Sequence, residues 1–164
     1  MTIRPFESLS PQEVLALAVH VERANARRFR TFADVFRGYD ADVAARFEEL
    51  ASEEDQHEAM LTAEFRERFG NTLPNVEEAG VEGVIESPDL DDAEHLIFDS
   101  LQESRVYKLA LKAEQEAREF YLRAATRTED PQMTGLYRSL AEMEEGHQDW
   151  IKKKLQAMSA QAGE

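Results

Sequence analysis

Apolar residues return along the first part of the chain at alternating intervals of four and three. Leu15, Val19, Ala26, Phe29, Ala33 and Phe36 fall in one row, and Glu22 stands inside it. That interval marks one face of an α-helix. The segment opens at Ser10, Pro11 and Glu13, a capping box with proline at the first helical position. A second face follows Asp40 and Asp42, either of which suits the cap, and reads Val43, Phe47, Leu50, Glu54, His57 and Leu61 before Gly70 and Asn71 stop the helix. From Gly70 to about Leu101 the periodicity weakens among turn-forming residues such as Pro74, Gly80, Gly83 and Pro88, with short helical pieces expected around Val76 to Ile85 and Ala93 to Phe98. A third face, beginning near Ser100 or Ser104, reads Tyr107, Leu111, Glu114, Arg118, Tyr121 and Ala125. A fourth, opened by Asp130 and Pro131, reads Met133, Tyr137, Leu140, Glu144, His147 and Ile151. The predicted helices are about 11–37, 41–69, 102–127 and 131–158.

The second and fourth faces match position for position, Val43 with Met133, Phe47 with Tyr137, Leu50 with Leu140, Glu54 with Glu144, His57 with His147 and Leu61 with Ile151. Glu22 and Glu114 occupy matching places on the first and third. The chain therefore reads as two copies of a helical hairpin, each bringing one lone glutamate and one Glu-x-x-His to its apolar side. Two such hairpins predict an all-α, single-domain four-helix bundle over residues 1–164. The long segment between helices 2 and 3 predicts a crossover and an up-down-down-up course.

Composition narrows the chemistry. The 164 residues carry 34 Asp plus Glu against 19 Lys plus Arg, a balance that disfavours nucleic acid and anionic membranes and suits a protein that attracts cations. There is no cysteine, so disulfides, thiolate catalysis, zinc ribbons and cysteine-ligated iron are excluded, and histidine and carboxylate are left as the available ligands. No signal-like or membrane-spanning apolar run is found, which leads to the expectation of a cytoplasmic protein.

Four glutamates inside one bundle need compensation, because an isolated buried carboxylate would take up a proton. Two divalent cations cancel four carboxylate charges. Residues i and i+3 share a helix face, so Glu54 with His57, and Glu144 with His147, can each meet one ion, with Glu22 and Glu114 completing the set. Oxygen and imidazole donors without sulfur suit iron or manganese. A lone Glu-x-x-His in so acidic a chain reads as a solvated pair; two copies in register with their apolar neighbours do not. His20 and His95 fall off these faces and read as ordinary polar histidines. Glu53, Glu58, Glu116, Glu119, Glu142 and Glu145 read as wet helix faces, with Glu145 a candidate outer partner. Tyr121 and Tyr137 read as core aromatics in preference to partners of the site.

The motifs Val-Glu-Arg-Ala-Asn-Ala-Arg-Arg-Phe, Glu-Glu-Asp-Gln-His, Lys-Ala-Glu-Gln-Glu-Ala-Arg-Glu-Phe-Tyr and Glu-Met-Glu-Glu-Gly-His resemble those of ferritin-like, rubrerythrin-type diiron proteins. Closer still is the resemblance to the N-terminal ferritin-like domain of membrane-bound ferritins, carried by Arg-Phe-Gly-Asn-Thr-Leu-Pro after the second helix and Ala-Glu-Gln-Glu-Ala-Arg-Glu-Phe-Tyr-Leu-Arg-Ala-Ala on the third. The resemblance implies a bundle that binds two irons and reacts them with O2 or H2O2, that is, ferroxidase or peroxidase-like activity in iron homeostasis. Carried over by position, both the metal ligands and the catalytic residues are Glu22, Glu54, His57, Glu114, Glu144 and His147. Ala117 stands where rubrerythrins usually carry a further glutamate, and a rubredoxin-like module needs cysteines that are absent. The membrane-bound relatives continue into a membrane domain, which places the chain at the cytoplasmic face of a membrane if it is part of such a protein. The other readings are an iron or manganese storage or delivery module, and a structural bundle with a degenerate site. Trp150, Leu155, Met158 and the apolar residues of the middle segment lead to the expectation of a homodimer or larger assembly, the alternative being that they cap the bundle's own ends.

Overall fold

The computed structural model describes residues 3–76, 81 and 100–163. A single 3₁₀ turn, Phe6–Ser8, precedes four helices: α1 (Pro11–Phe36), α2 (Ala41–Phe69), α3 (Ser100–Thr126) and α4 (Pro131–Ala162). Apart from an isolated bridge between Arg4 and Val81, the regular structure among the described residues is helical.

Helices α1, α2 and α4 begin where the sequence supplies a partner for their unpaired N–H groups. Ser10 Oγ accepts from the Glu13 N–H at 3.1 Å while Glu13 Oε2 accepts from the Ser10 N–H at 2.8 Å. Of the two candidates for the α2 cap it is Asp40 that serves, accepting from the Asp42 and Val43 N–H groups. Asp130 caps α4 by accepting from the Gln132 N–H at 2.9 Å, with Pro131 at the first helical position. Gly70 ends α2 at φ 90°, a left-handed value that glycine adopts without strain. Helix α3 takes the earlier of its two expected starts, and α4 continues beyond residue 158 to Ala162. Apart from Val76 and Val81, the short helical pieces expected in the middle segment, and His95 with them, lie outside the described residues.

Short loops make α1 antiparallel to α2 and α3 antiparallel to α4. The end of α3 lies at the start of α1, since the Arg127 guanidinium donates to the Glu7 carbonyl at 2.6 Å and to the Leu9 carbonyl at 3.3 Å. The end of α2 lies at the start of α4, where Arg68 pairs with the capping Asp130. Hence α2 and α3 run in the same direction and their connection has to cross from one end of the bundle to the other, the expected up-down-down-up course.

The core divides into two apolar clusters. One gathers Phe6, Leu15, Leu61, Phe65, Phe120, Tyr121 and Tyr137 at the end where α1 begins; the other gathers Phe29, Phe32, Phe36, Phe47, Tyr107 and Ile151 at the opposite end. On every helix the change from one cluster to the other falls at a buried glutamate: Glu22, Glu54, Glu114 and Glu144. The predicted faces of α1, α2 and α4 are buried throughout. On α3 the predicted face is rotated slightly from the real one, because Leu111 and Arg118 are half-buried while Ala110, Ala113 and Ala117 are covered. Trp150, Leu155 and Met158 pack against the second cluster of their own chain, so part of the apolar surface expected to meet a partner is used internally.

Phe47 is fully buried, and its ring packs on Phe29, Phe32, Phe36, Tyr107 and Trp150. Phe47→Ala should therefore lower the free energy of unfolding by about 3–5 kcal/mol, measured by urea denaturation. A loss below about 1 kcal/mol would show that this end of the bundle is not closed by the aromatic cluster.

Candidate metal centre

At the middle of the bundle the four helices bring Glu22, Glu54, Glu114, Glu144, His57 and His147 together, and all six are buried. They form two overlapping groups whose candidate donor atoms lie within 4.8 Å of one another. The first is Glu22, Glu54, His57 and Glu144; the second is Glu54, Glu114, Glu144 and His147. Glu54 and Glu144 belong to both. His57 Nδ1 lies 3.4 Å from Glu22, 3.5 Å from Glu54 and 3.6 Å from Glu144. His147 Nδ1 lies 3.1 Å from Glu54, 3.4 Å from Glu114 and 3.7 Å from Glu144. The two imidazoles are nearly parallel, with centroids 6.2 Å apart. Every residue singled out from spacing thus arrives at one place.

The donor atoms themselves lack partners. Glu22 Oε2, both carboxylate oxygens of Glu54, Glu114 and Glu144, and the Nδ1 atoms of His57 and His147 are buried without a hydrogen bond. Leaving so many polar atoms unsatisfied is costly unless a ligand completes them. Oxygen and neutral imidazole donors suit iron or manganese, so the residues present fit a pair of such ions.

Protonation shows how the cluster balances itself without metal. Burial, with repulsion from Glu54 and Glu144, raises Glu22 well above the usual carboxylate range; burial, with repulsion from Glu144 and Glu54, does the same for Glu114. Burial also opposes ionisation of Glu54 and Glu144, but the close approach of neighbouring acids and of both imidazoles outweighs it. Glu54 is lowered by Glu22, His147 and His57, and Glu144 is held at about 2 by Glu114, His147 and His57. Burial opposes charge on the imidazoles as well, yet the surrounding carboxylates raise His57 to about 12 and raise His147 further. Burial therefore prevails at only two of the four: contacts with Glu22 or Glu114 and with both histidines hold Glu54 and Glu144 down.

Two residues read from sequence as bystanders touch the site. The Tyr121 hydroxyl donates to Glu22 Oε1, and burial raises its pKa well above the ordinary phenol value. Tyr121 is thus a core aromatic and a partner of the site together. Glu53, read as part of a wet face, places Oε2 at 2.6 Å from His147 Nε2 while Oε1 lies 3.5 Å from Arg46. Its position immediately before Glu54 gave no periodic signal, because it falls off the apolar face. Tyr137 stacks on Tyr121 with centroids 6.2 Å apart. Glu145 lies 3.8 Å from Arg118 and Glu58 pairs with Arg23, so both are outside the cluster. Glu116 is less exposed than a wet face implies, and one of its oxygens is buried. His20 is half-buried on α1 and is not among the grouped residues.

A family model described as Rubrerythrin matches residues 13–155, which include all six residues of the cluster. The chain belongs to the rubrerythrin family. A hypothetical protein from Pyrococcus furiosus has a similar structure, with a TM-score of 0.74 and 24% identity over 96% of this chain and 97% of its own. So has an uncharacterized conserved protein from Magnetospirillum magnetotacticum MS-1, with a TM-score of 0.73 and 22% identity over 91% of this chain and 95% of its own. At these identities the two structures support the fold. Among curated proteins no relative matches the chain. As a rubrerythrin-type diiron protein with both acidic and histidine groups in place, it is an oxidoreductase whose centre is consistent with ferroxidase or peroxidase-type redox chemistry. None of the described helices is long and apolar enough to cross a membrane.

Loading divalent cations on this rubrerythrin centre should displace protons from the raised groups of the cluster, Glu22, Glu114, His57 and His147. Metal titration in weak buffer with a pH electrode measures the number, and release of none would contradict the protonation pattern. Stability without metal follows the same groups. The raised Glu22 and Glu114 favour folding below the ordinary glutamate value of 4.5, and that contribution is lost as pH rises above it. The raised histidines contribute fully below 6.5 and progressively less above it. The lowered Glu54 and Glu144 contribute above 4.5, a contribution lost as pH falls toward about 2 for Glu144. The cluster should therefore make the metal-free protein most stable near pH 4.5 and less stable at neutrality, whereas bound metal should raise the neutral melting temperature. Calorimetry across pH, with and without metal, checks both signs.

Proposed function

We propose that Glu22, Glu54, His57, Glu114, Glu144 and His147 hold two iron ions, with manganese the alternative. On this reading the protein oxidises Fe(II) with O2 or H2O2, in iron handling or peroxide removal. The observation that carries the proposal is the set of buried oxygens and Nδ1 atoms, converging within two 4.8 Å groups and lacking partners. Bound iron would supply one electron per ion to the oxidant. The chain's own part is to hold, neutralise and enclose. Glu54 and Glu144, common to both groups, would hold both ions, while Glu22 and Glu114 would each hold one. Four carboxylates would balance two divalent charges, and the imidazoles would serve as neutral donors through Nδ1. The Tyr121 hydroxyl restrains Glu22 and keeps its proton on Oη. The apolar clusters above and below exclude water, so the carboxylates act at low dielectric.

The finer kinship, with the N-terminal ferritin-like domain of membrane-bound ferritins, rests on the motifs after α2 and along α3, and placement at the cytoplasmic face of a membrane rests on that kinship. We take residues 1–164 as one domain because all four helices contribute to a single cluster. Assembly into a homodimer or larger particle is supported by the exposed Met60, Phe69, Leu122 and Met143; a light-scattering mass of one chain at micromolar concentration would remove it.

Anaerobic Fe(II) titration should saturate at about two ions per chain. Glu144→Ala should abolish most of that uptake, while Glu142→Ala, on the exposed side of α4, should leave it unchanged. Adding peroxide or air to the ferrous protein should produce near-ultraviolet absorption at a rate that falls at least tenfold in Glu54→Ala and Glu114→Ala with helix content retained, about 1.4 kcal/mol or more in barrier. A fully loaded protein that neither oxidant oxidises faster than free Fe(II) would overturn the enzymatic reading and leave storage or delivery in its place.

A further inference from the structure

The two hairpins repeat one another at the buried positions, but not in what stands behind them. Helices α2 and α4 match at a constant offset, which pairs Arg46 with Leu136 and Glu53 with Met143. On α2, Glu53 reaches across to His147 of the other hairpin and accepts from Nε2 at 2.6 Å. It is braced on its far side by Arg46, whose guanidinium also bonds Glu49 at 3.0 Å and lies over the Trp150 ring at 5.8 Å. On α4 the matching pair is leucine and methionine, so the chain carries no equivalent acceptor at that place for His57. Helices α1 and α3 differ in the opposite sense. Tyr121 donates to Glu22 Oε1, whereas the position matching Tyr121 is Phe29, and both oxygens of Glu114 are without a partner.

Each difference acts on a different half of the centre, and both act in one direction. A carboxylate on the outer nitrogen of a ligating imidazole fixes the ring, keeps the proton on that nitrogen and makes the inner nitrogen a better donor. His147 has this support. A hydroxyl donated to a ligating carboxylate draws off part of its charge and occupies one of its oxygens. Glu22 bears this load and Glu114 does not.

We propose that Glu53 is a positioning residue that makes the two metal positions unequal, so that the Glu114–His147 position fills before the Glu22–His57 position. The inference rests on the reading of the cluster as a two-metal centre and adds an order of loading to it. The first ion then meets the half that has the stronger donors, and its charge, beside the shared Glu54 and Glu144, sets the conditions under which the second enters. Since Arg46 and Glu53 are partly exposed on the surface of α2, the device that ranks the positions is outside the ligand set and can be altered without removing a ligand.

Co(II) titration of the full chain, followed by visible absorption, tests this. The wild type should take up two ions in two resolved steps. Glu53→Ala should weaken one step by about 10–100-fold and leave the other within about threefold, so that the steps merge or exchange order. Glu53→Gln, which retains an oxygen able to accept from Nε2, should recover most of the loss, and Glu142→Ala should change neither step. In the Zn(II)-loaded protein, the His147 Nε2 proton should be observed by nitrogen-15-edited NMR as a slowly exchanging downfield signal that is lost in Glu53→Ala and retained in Glu53→Gln. Two equal steps in the wild type, or two steps unchanged in Glu53→Ala, would overturn the ordering while leaving the two-metal reading intact. No uptake by the wild type would overturn both. A Glu53→Ala protein that unfolds would show loss of helical circular dichroism; Glu53→Gln then decides, since unaltered steps with the His147 signal absent would also refute the positioning role.

Discussion

Four carboxylates buried at the middle of one bundle form the constraint to which the rest of this structure answers. Such a group cannot be charged throughout in a medium of low dielectric, and it cannot be apolar either. The bundle resolves the conflict by internal proton sharing, with two carboxyls kept neutral by burial and mutual repulsion and two kept ionised by imidazolium partners. Protons compensate the cluster in the metal-free chain, and on the two-metal reading divalent cations would take their place between the same apolar walls. The division of the core into an upper and a lower cluster follows from this: the polar layer interrupts the apolar contact on every helix, and each cluster has to be closed separately, by Phe65 and Tyr137 on one side and by Phe47 and Trp150 on the other.

Much of this was legible in the sequence because the periodicity of the helix and the duplication of the hairpin reinforce one another. A glutamate in an apolar row is ambiguous alone. Glu22 and Glu114, or Glu54 and Glu144, remove the ambiguity by recurring at the same point of matching rows. Caps were readable for a local reason, since Ser10 with Glu13, and Asp130 with Pro131, act within one turn of the chain. What pattern alone could not supply was contact between elements on faces that carry no apolar signal. Glu53 bonds a histidine 94 positions away, yet its neighbours along α2 mark it as exposed. Tyr121 is indistinguishable by periodicity from an aromatic that only packs. The rotation of α3 about its axis was missed for a related reason: alanines 110, 113 and 117 bury fully while contributing little to a hydrophobic row, so Leu111 and Arg118 drew the predicted face toward themselves.

The protonation pattern was also beyond a sequence reading. The lowered carboxylates are those that face both imidazoles, Glu54 and Glu144, whereas Glu22 and Glu114 each face one, and that difference arises from helix packing. A count of four glutamates and two histidines fixes the total charge that can be accommodated but not its distribution. That distribution separates the shared Glu54 and Glu144 from the unshared Glu22 and Glu114, so the residues common to both groups are the ones already ionised before a cation arrives.

Neither hairpin contains a whole set of donors. The first group draws on α1, α2 and α4, the second on α2, α3 and α4. Any ion held there is consequently stitched to both halves of the chain, and it can leave only when the halves separate or a ligating side chain swings aside. The cargo thus acts as a clasp: once it is seated, the lifetime of the closed bundle and the residence time of the ion become one kinetic quantity, governed by how often the hairpins breathe apart.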